Sequence, residues 1–462
     1  MKADPHLIMP GRTIRFAGRT MPFEYLFRSV LAVGAPGCGK TRGILMPLLR
    51  ELLRATGTDP ETKVGLVVAD PKNEFRPFLE ASLAEVGRLD DLVIIGPGEG
   101  CYNPLTSPFL TQLEMVEKIA ALSLHRSRGI GGPARDDAFW EGSMKSLLGV
   151  CIQLHIETKG LPLTFVGVNE SLRQILSFRS MSRATEWLTE RQIDLPPDIL
   201  HSLETFLTLP ADSTRPCVAE TTMNAISFWL HEPLRSLSTP TATMPAIDPL
   251  APIDQGKIIL LACTSAAHGT SLAPLMLALK EEIFSGLLAR DQIEVDTENG
   301  SRLINQTRPV FIVADEFQTY LTNNGAMGEL AALDRIRGFR GGYIAATQNL
   351  ASLHSALKRD VDAVRLLALF ANQVFLANIC PLTAVHAEFL FADSREESLP
   401  PPLLPHMRSS DLKAKDFKGQ DLSRLRTGEF WLRSADGSIT KGSAKMDLPG
   451  SPHRTRKIRT KR

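Results

Sequence analysis

The segment Ser29-Val30-Leu31-Ala32-Val33-Gly34-Ala35-Pro36-Gly37-Cys38-Gly39-Lys40-Thr41 constrains the fold more than any other part of the chain. A short apolar run enters Gly-x4-Gly-Lys-Thr, the loop that carries phosphates between a buried strand and the helix it opens. Amides exposed by the glycines, together with the start of the following helix, form a cradle for the β- and γ-phosphates. Gly34, Pro36, Gly37, Cys38, Gly39, Lys40 and Thr41 are the expected contacts, with ATP and Mg2+ as ligands. Lys40 would neutralise the γ-phosphate, and the Thr41 hydroxyl would hold Mg2+.

A phosphate loop of this kind needs a second strand that ends in carboxylates. Val310-Phe311-Ile312-Val313-Ala314 is apolar throughout and runs into Asp315-Glu316, as expected of a strand buried on both faces of a parallel sheet. Asp315 is the expected second metal ligand, and Glu316 the group that orients or deprotonates the attacking water. Two further runs share this pattern. Val64-Gly65-Leu66-Val67-Val68-Ala69 leads into Asp70-Pro71-Lys72-Asn73-Glu74, and Tyr343-Ile344-Ala345-Ala346-Thr347 leads into Gln348-Asn349. Ligands on open α/β sheets gather at the carboxyl ends of strands. That places Asp70 among the nucleotide contacts and Gln348 on the γ-phosphate or the water.

Strands and helices alternate from residue 29 to 105, with a further strand at 92–95, and the pattern returns at 257–262. Between them the apolar spacing is helical, at 113–122, 139–155, 171–178, 184–192, 198–207 and 218–230. The expected architecture is therefore α/β: a central, mostly parallel sheet interrupted by an all-helical insertion. The boundaries fall at 1–105 and 251–445 for the two parts of the nucleotide-binding domain, 106–250 for the insertion and 446–462 for a basic tail. Residues 13–16 read as a short strand covering the sheet edge, 373–377 as a strand, 383–391 as a helix and 428–432 as a late edge strand. The Gly- and Arg-bearing stretch 123–137 reads as a loop, either a solvated linker or a contact for DNA.

Composition narrows the partners. The net charge of +1 creates no global attraction for nucleic acid, so any such contact has to be local. Six cysteines without C-x-x-C spacing argue against a zinc site or disulfide framework and fit a reducing, cytosolic setting. The sequence contains no uninterrupted apolar run of about 18 residues, so no membrane span is expected within it.

In order and spacing these motifs resemble the coupling proteins of type IV secretion, the TraD/TraG-like conjugation ATPases of the FtsK/HerA-RecA superfamily. The resemblance spans Gly34 to about Trp431. Beyond the phosphate loop it includes Asp70-Pro71-Lys72-Asn73-Glu74, Tyr102-Asn103-Pro104-Leu105 and the Phe139-Trp140 helix. It also includes Ser213-Thr214-Arg215 with Glu220-Thr221-Thr222, the Asp315-Glu316 strand and Gln348. Asn73 stands where the family commonly has glycine. The resemblance implies a RecA-like motor assembled as a hexamer at the cytoplasmic face of the bacterial inner membrane. Such a ring binds the relaxase–DNA complex and feeds single- or double-stranded DNA, and sometimes protein, into the secretion channel. It further implies a neighbour's arginine at each nucleotide, and Arg337 is the expected one, with Arg335 and Arg340 behind it. Family members usually carry N-terminal membrane spans, so here attachment would come through secretion-system membrane components, or the chain would be one of the soluble, membrane-free variants. A nucleotide-regulated receptor for secreted protein and an FtsK/HerA-like duplex pump are the alternative functions. The helical insertion disfavours the duplex pump.

Overall fold

The computed structural model describes residues 11–107, 111–127, 137–160, 162–262, 272–297, 300–322, 328–357, 359–391 and 417–444. The phosphate loop and both charged strand ends sit on one sheet. Its strands are β3 (Val30–Val33), β4 (Gly65–Asp70), β5 (Leu92–Ile95), β6 (Ile258–Ala262), β9 (Val310–Ala314), β10 (Gly341–Thr347), β11 (Asn372–Leu376), β12 (Glu429–Arg433) and β13 (Ile439–Ser443). They lie in the order β13-β12-β11-β3-β10-β9-β4-β6-β5. The seven from β11 to β5 are parallel; β12 and β13 continue antiparallel. Every residue of β3, β4, β9, β10 and β11 is buried, which explains the apolar runs 30–33, 64–69, 310–314 and 343–346; β11 opens on the buried polar pair Asn372 and Gln373.

Side chains alternate between two cores. Val30, Ala32, Leu66, Val68, Phe311, Val313, Ile344 and Ala346 face one side. Leu31, Val33, Val67, Ala69, Ile312, Ala314, Tyr343 and Ala345 face the other. On the first side the sheet is covered by α1 (Met46–Thr56) and α2 (Phe75–Glu85), whose Leu48, Leu49, Leu52, Leu79 and Leu83 join that core.

Two strand expectations need correction. The hairpin of β1 (Thr13–Phe16) and β2 (Arg19–Pro22) forms its own two-stranded sheet, and Ile14, Phe16 and Met21 enter the α1 core. It reaches the sheet edge through Arg19, which donates to Thr440 of β13 at 3.1 Å. The expected late edge strand, β12, is instead covered by β13. A further hairpin, β7 (Glu294–Thr297) with β8 (Gly300–Leu303), carries no apolar run that would have announced it.

Between β5 and β6 the regular elements among the described residues are helices. They include α3 (Gln112–Ser127), α4 (Asp137–Lys159), α5 (Phe165–Ser177), α6 (Met181–Glu190), α7 (Pro197–Thr208) and α8 (Thr214–Ser227). The stretch expected as a loop at 123–137 is helical through Ser127 and again from Asp137; its middle, like the basic tail, lies outside the described residues. α4 is the hub, with Leu147, Leu148, Cys151 and Ile152 buried among its neighbours. Phe165 stacks on Trp229, ring centroids 4.4 Å apart. This core is continuous with the sheet face carrying Leu31 and Ile312.

The two layers meet at the helix Ala273–Leu288. Its Glu282 accepts from Lys118 of α3 at 3.0 Å, with both side chains buried. Two residues before Glu282, Lys280 donates to Glu329 at 2.5 Å and to the Tyr320 carbonyl at 2.7 Å. Among the described residues no helix is long and apolar enough to cross a membrane.

Candidate functional site

The loop leaves the sheet pinned between two strand ends. The Gly34 amide donates to the Thr347 carbonyl of β10 at 3.2 Å, and the Ala35 amide to the Ala377 carbonyl beyond β11 at 2.8 Å. A Cβ on Gly34 would lie 2.5 Å from Cys38 Sγ and 2.8 Å from Leu376 Cβ, so this position has no room for a side chain. Gly37 and Gly39 take left-handed φ of 74° and 105°. The chain then enters a wide first turn, Lys40–Leu45, which continues into α1. Lys40 is 7% exposed, and its Nζ donates to the Gly34 carbonyl at 2.6 Å and the Ala35 carbonyl at 3.1 Å, closing the loop on itself. Burial pushes the Cys38 thiol above its ordinary range against the opposing pull of Lys40, which leaves this cysteine protonated and shielded.

Residues 274 positions apart meet at the loop's edge: Thr41 Oγ1 donates to Asp315 Oδ2 at 2.7 Å. Burial raises the Asp315 carboxyl from its usual range, opposed by that hydrogen bond and by the charge of Lys72. Glu316 follows at φ 55°, a left-handed conformation that side chains other than glycine rarely adopt. Its amide donates to Asp315 Oδ1 at 3.0 Å.

Strand order explains how Gln348 arrives. β10 lies between the loop strand β3 and the acidic strand β9, and it ends at Thr347. Gln348 Nε2 therefore reaches Glu316 Oε1 at 3.2 Å and Oε2 at 3.1 Å. Asn378, past the end of β11, donates to the Gln348 carbonyl at 2.8 Å and fixes that turn.

Two participants were not singled out from sequence. Lys72 Nζ donates to Glu316 Oε1 at 2.6 Å, and Gln318 Nε2 donates to Glu316 Oε2 at 2.8 Å. Burial favours a raised Glu316 pKa, but the donors Lys72, Gln318 and Gln348 outweigh it and hold the carboxyl below its usual range. Lys72 gave a usable signal, being a lysine just past the end of a buried parallel strand. Gln318 gave none beyond its place two residues after Glu316.

Asp70, expected among the nucleotide contacts, has another employment. It is 1% exposed, and its oxygens accept from the amides of Glu74 at 2.9 Å and Phe75 at 2.7 Å, capping α2. That cap shapes the turn that carries Lys72. Asn73 in this turn is left-handed at φ 55°, the conformation that a glycine would supply and that asparagine tolerates.

Arg337 stands apart from these residues. It is exposed and precedes β10, whose seven residues put it at the amino ends of the strands, about 20 Å from the loop. Within one chain it does not reach the phosphate loop. Arg335 is also exposed, whereas Arg340 is half-buried and donates to the Thr307 carbonyl at 2.6 Å.

The same architecture occurs in solved structures. The bacterial conjugative coupling protein TrwBdeltaN70, in its unbound monoclinic form, is 18% identical, with a TM-score of 0.59 covering 95% of this chain and 91% of its own. The plasmid coupling protein TrwB in complex with ADP and Mg2+ is 16% identical, at a TM-score of 0.59 over 95% of this chain and 90% of its own. VirB4 of Thermoanaerobacter pseudethanolicus is 14% identical, at 0.54 over 94% of this chain and 96% of its own. No protein-family model and no curated protein matches the chain. At these identities the likeness establishes the fold: a RecA-like α/β domain with a mostly parallel sheet and a helical domain.

Proposed function

We propose that this chain is an ATP-driven coupling protein that recruits a relaxase–DNA complex and moves DNA toward a type IV secretion channel. The observation that carries the proposal is the convergence of Lys40, Thr41, Asp315, Glu316 and Gln348 at the carboxyl ends of the central strands. The shared fold supports it, because TrwB is described as a plasmid coupling protein and is seen with ADP and Mg2+.

The donor set suits a hard divalent cation. Thr41 and Asp315 offer oxygen ligands 2.7 Å apart, and Mg2+ typically takes one or two protein oxygens with the remainder from phosphates and water. When bound, Mg2+ would neutralise charge developing between the β- and γ-phosphates. The protein's part is positioning. Loop amides and Lys40 would bind the phosphates, exchanging the Gly34 and Ala35 carbonyls for phosphate oxygens at the Lys40 ammonium. Glu316 would orient the attacking water, and Gln348 would link its position to the γ-phosphate.

Arg337, displaced from its own site, would serve the neighbouring subunit of a hexamer. DNA contact would run through phosphates, independent of sequence and strongly weakened by salt. Attachment at the cytoplasmic face of the inner membrane would rely on secretion-system partners. The test is ATP turnover with Mg2+ by the purified protein and by Lys40→Ala. The variant is expected to be slower by on the order of a hundredfold or more; equal rates would overturn the assignment.

A further inference from the structure

Glu316, the residue proposed to orient water, is already saturated with donors. Oε1 accepts from Lys72 at 2.6 Å and Gln348 at 3.2 Å, and Oε2 accepts from Gln318 at 2.8 Å and Gln348 at 3.1 Å. A carboxylate offers about four lone-pair sites, so this arrangement leaves none directed at a water proton. A general base has to accept a hydrogen bond from the water it activates. Turnover therefore requires that at least one donor withdraw.

The donors are not equivalent. Gln318 is braced, because its Oε1 accepts from Thr347 Oγ1 at 2.8 Å. Gln348 is held at its backbone by Asn378. Lys72 comes from a different strand, carries the full positive charge and makes the shortest contact. Its side chain is 47% exposed, against 13% for Glu316, so it can swing into solvent without opening the core. It sits on the turn built by the left-handed Asn73, outside the Asp70 cap. Its charge-assisted hydrogen bond is also the strong one of the set.

We propose that Lys72 is a latch: a positioning residue that holds Glu316 away from catalysis until its side chain is drawn off. This deepens the hydrolase reading above and rests on it. Latch and support predict opposite signs. A lysine that merely supported Glu316 would, when removed, slow the reaction; a latch would, when removed, speed it.

The experiment is steady-state ATP turnover by the full chain without DNA, for wild type, Lys72→Met, Lys72→Gln, Lys72→Arg and Glu316→Gln, with the thermal midpoint of each. Lys72→Met and Lys72→Gln are expected to raise basal kcat on the order of tenfold, the worth of one charge-assisted hydrogen bond, with KM for ATP unchanged. Lys72→Arg, which keeps the charge and a donor, should be accelerated less than Lys72→Met and Lys72→Gln. Basal kcat at or below wild type in folded Lys72→Met and Lys72→Gln overturns the latch, and so does silence in both them and the wild type. Glu316→Gln separates the two failures. If it is inactive while the Lys72 variants are not accelerated, only the latch falls. If it turns over like wild type, the role of Glu316 falls and the latch with it.

Discussion

Glu316→Gln is expected to lower ATP turnover by about 10²–10⁴-fold, the usual contribution of a positioned general base, while nucleotide binding persists. Glutamine preserves the shape of the side chain and its left-handed backbone, so the turn after β9 keeps its form. Its single carbonyl oxygen can accept from Lys72 or from Gln318, which bond different oxygens of the carboxylate, and it cannot take a proton from water. Nothing in the substitution touches the Gly34–Lys40 closure or the Thr41–Asp315 contact, where phosphates and metal would bind. Binding of a fluorescent ATP analogue beside phosphate release checks both halves. Wild-type turnover in this variant would remove Glu316 from the mechanism.

Lys280→Met is expected to destabilise the fold by about 3–5 kcal/mol, the cost of stranding one member of a buried ion pair. Lys280 is 0% exposed and Glu329 1%, and they meet at 2.5 Å. Methionine fills much of the lysine's volume, but among the described residues it leaves Glu329 the Thr322 amide and hydroxyl, at 2.9 and 3.0 Å. It also removes the donor to the Tyr320 carbonyl, the last residue of the short helix Phe317–Tyr320 that follows Glu316. Adding Glu329→Gln should recover part of the loss, since the residual buried group is then neutral. Chemical denaturation of the single and double variants measures this; equal stability of wild type and Lys280→Met would contradict it. Through this pair the helix Ala273–Leu288 braces the turn beyond Glu316, and through Glu282 and Lys118 it grips the helical insertion. The left-handed turn at Glu316 and the insertion thus share one buried support.

Much of this was legible because parallel strands announce themselves. β3, β4, β9 and β10 are buried on both faces, so each carries an apolar run, and residues just beyond β3, β9 and β10 meet at the candidate site. The six long helices of the insertion were legible from their apolar spacing, although their ends were not, because caps and packing set those. Strand order was illegible. Nothing in the run Tyr343–Thr347 tells that it inserts between β3 and β9, and that insertion is what brings Gln348 to Glu316. Lys72 and Asp70 show the same limit at the scale of one turn. Both follow a buried strand, and only the fold decides that the acid caps α2 while the lysine crosses to Glu316. Polar elements such as β7 and β8 lack an apolar run and were missed for that reason.

Steady-state ATP hydrolysis at low salt, measured with and without single-stranded and duplex DNA, tests the coupling of nucleotide to DNA most directly. The expected result is stimulation by DNA that disappears in Lys40→Ala and fades as salt rises, as phosphate contacts require. A rate indifferent to both forms of DNA would contradict a DNA motor and favour a receptor for secreted protein.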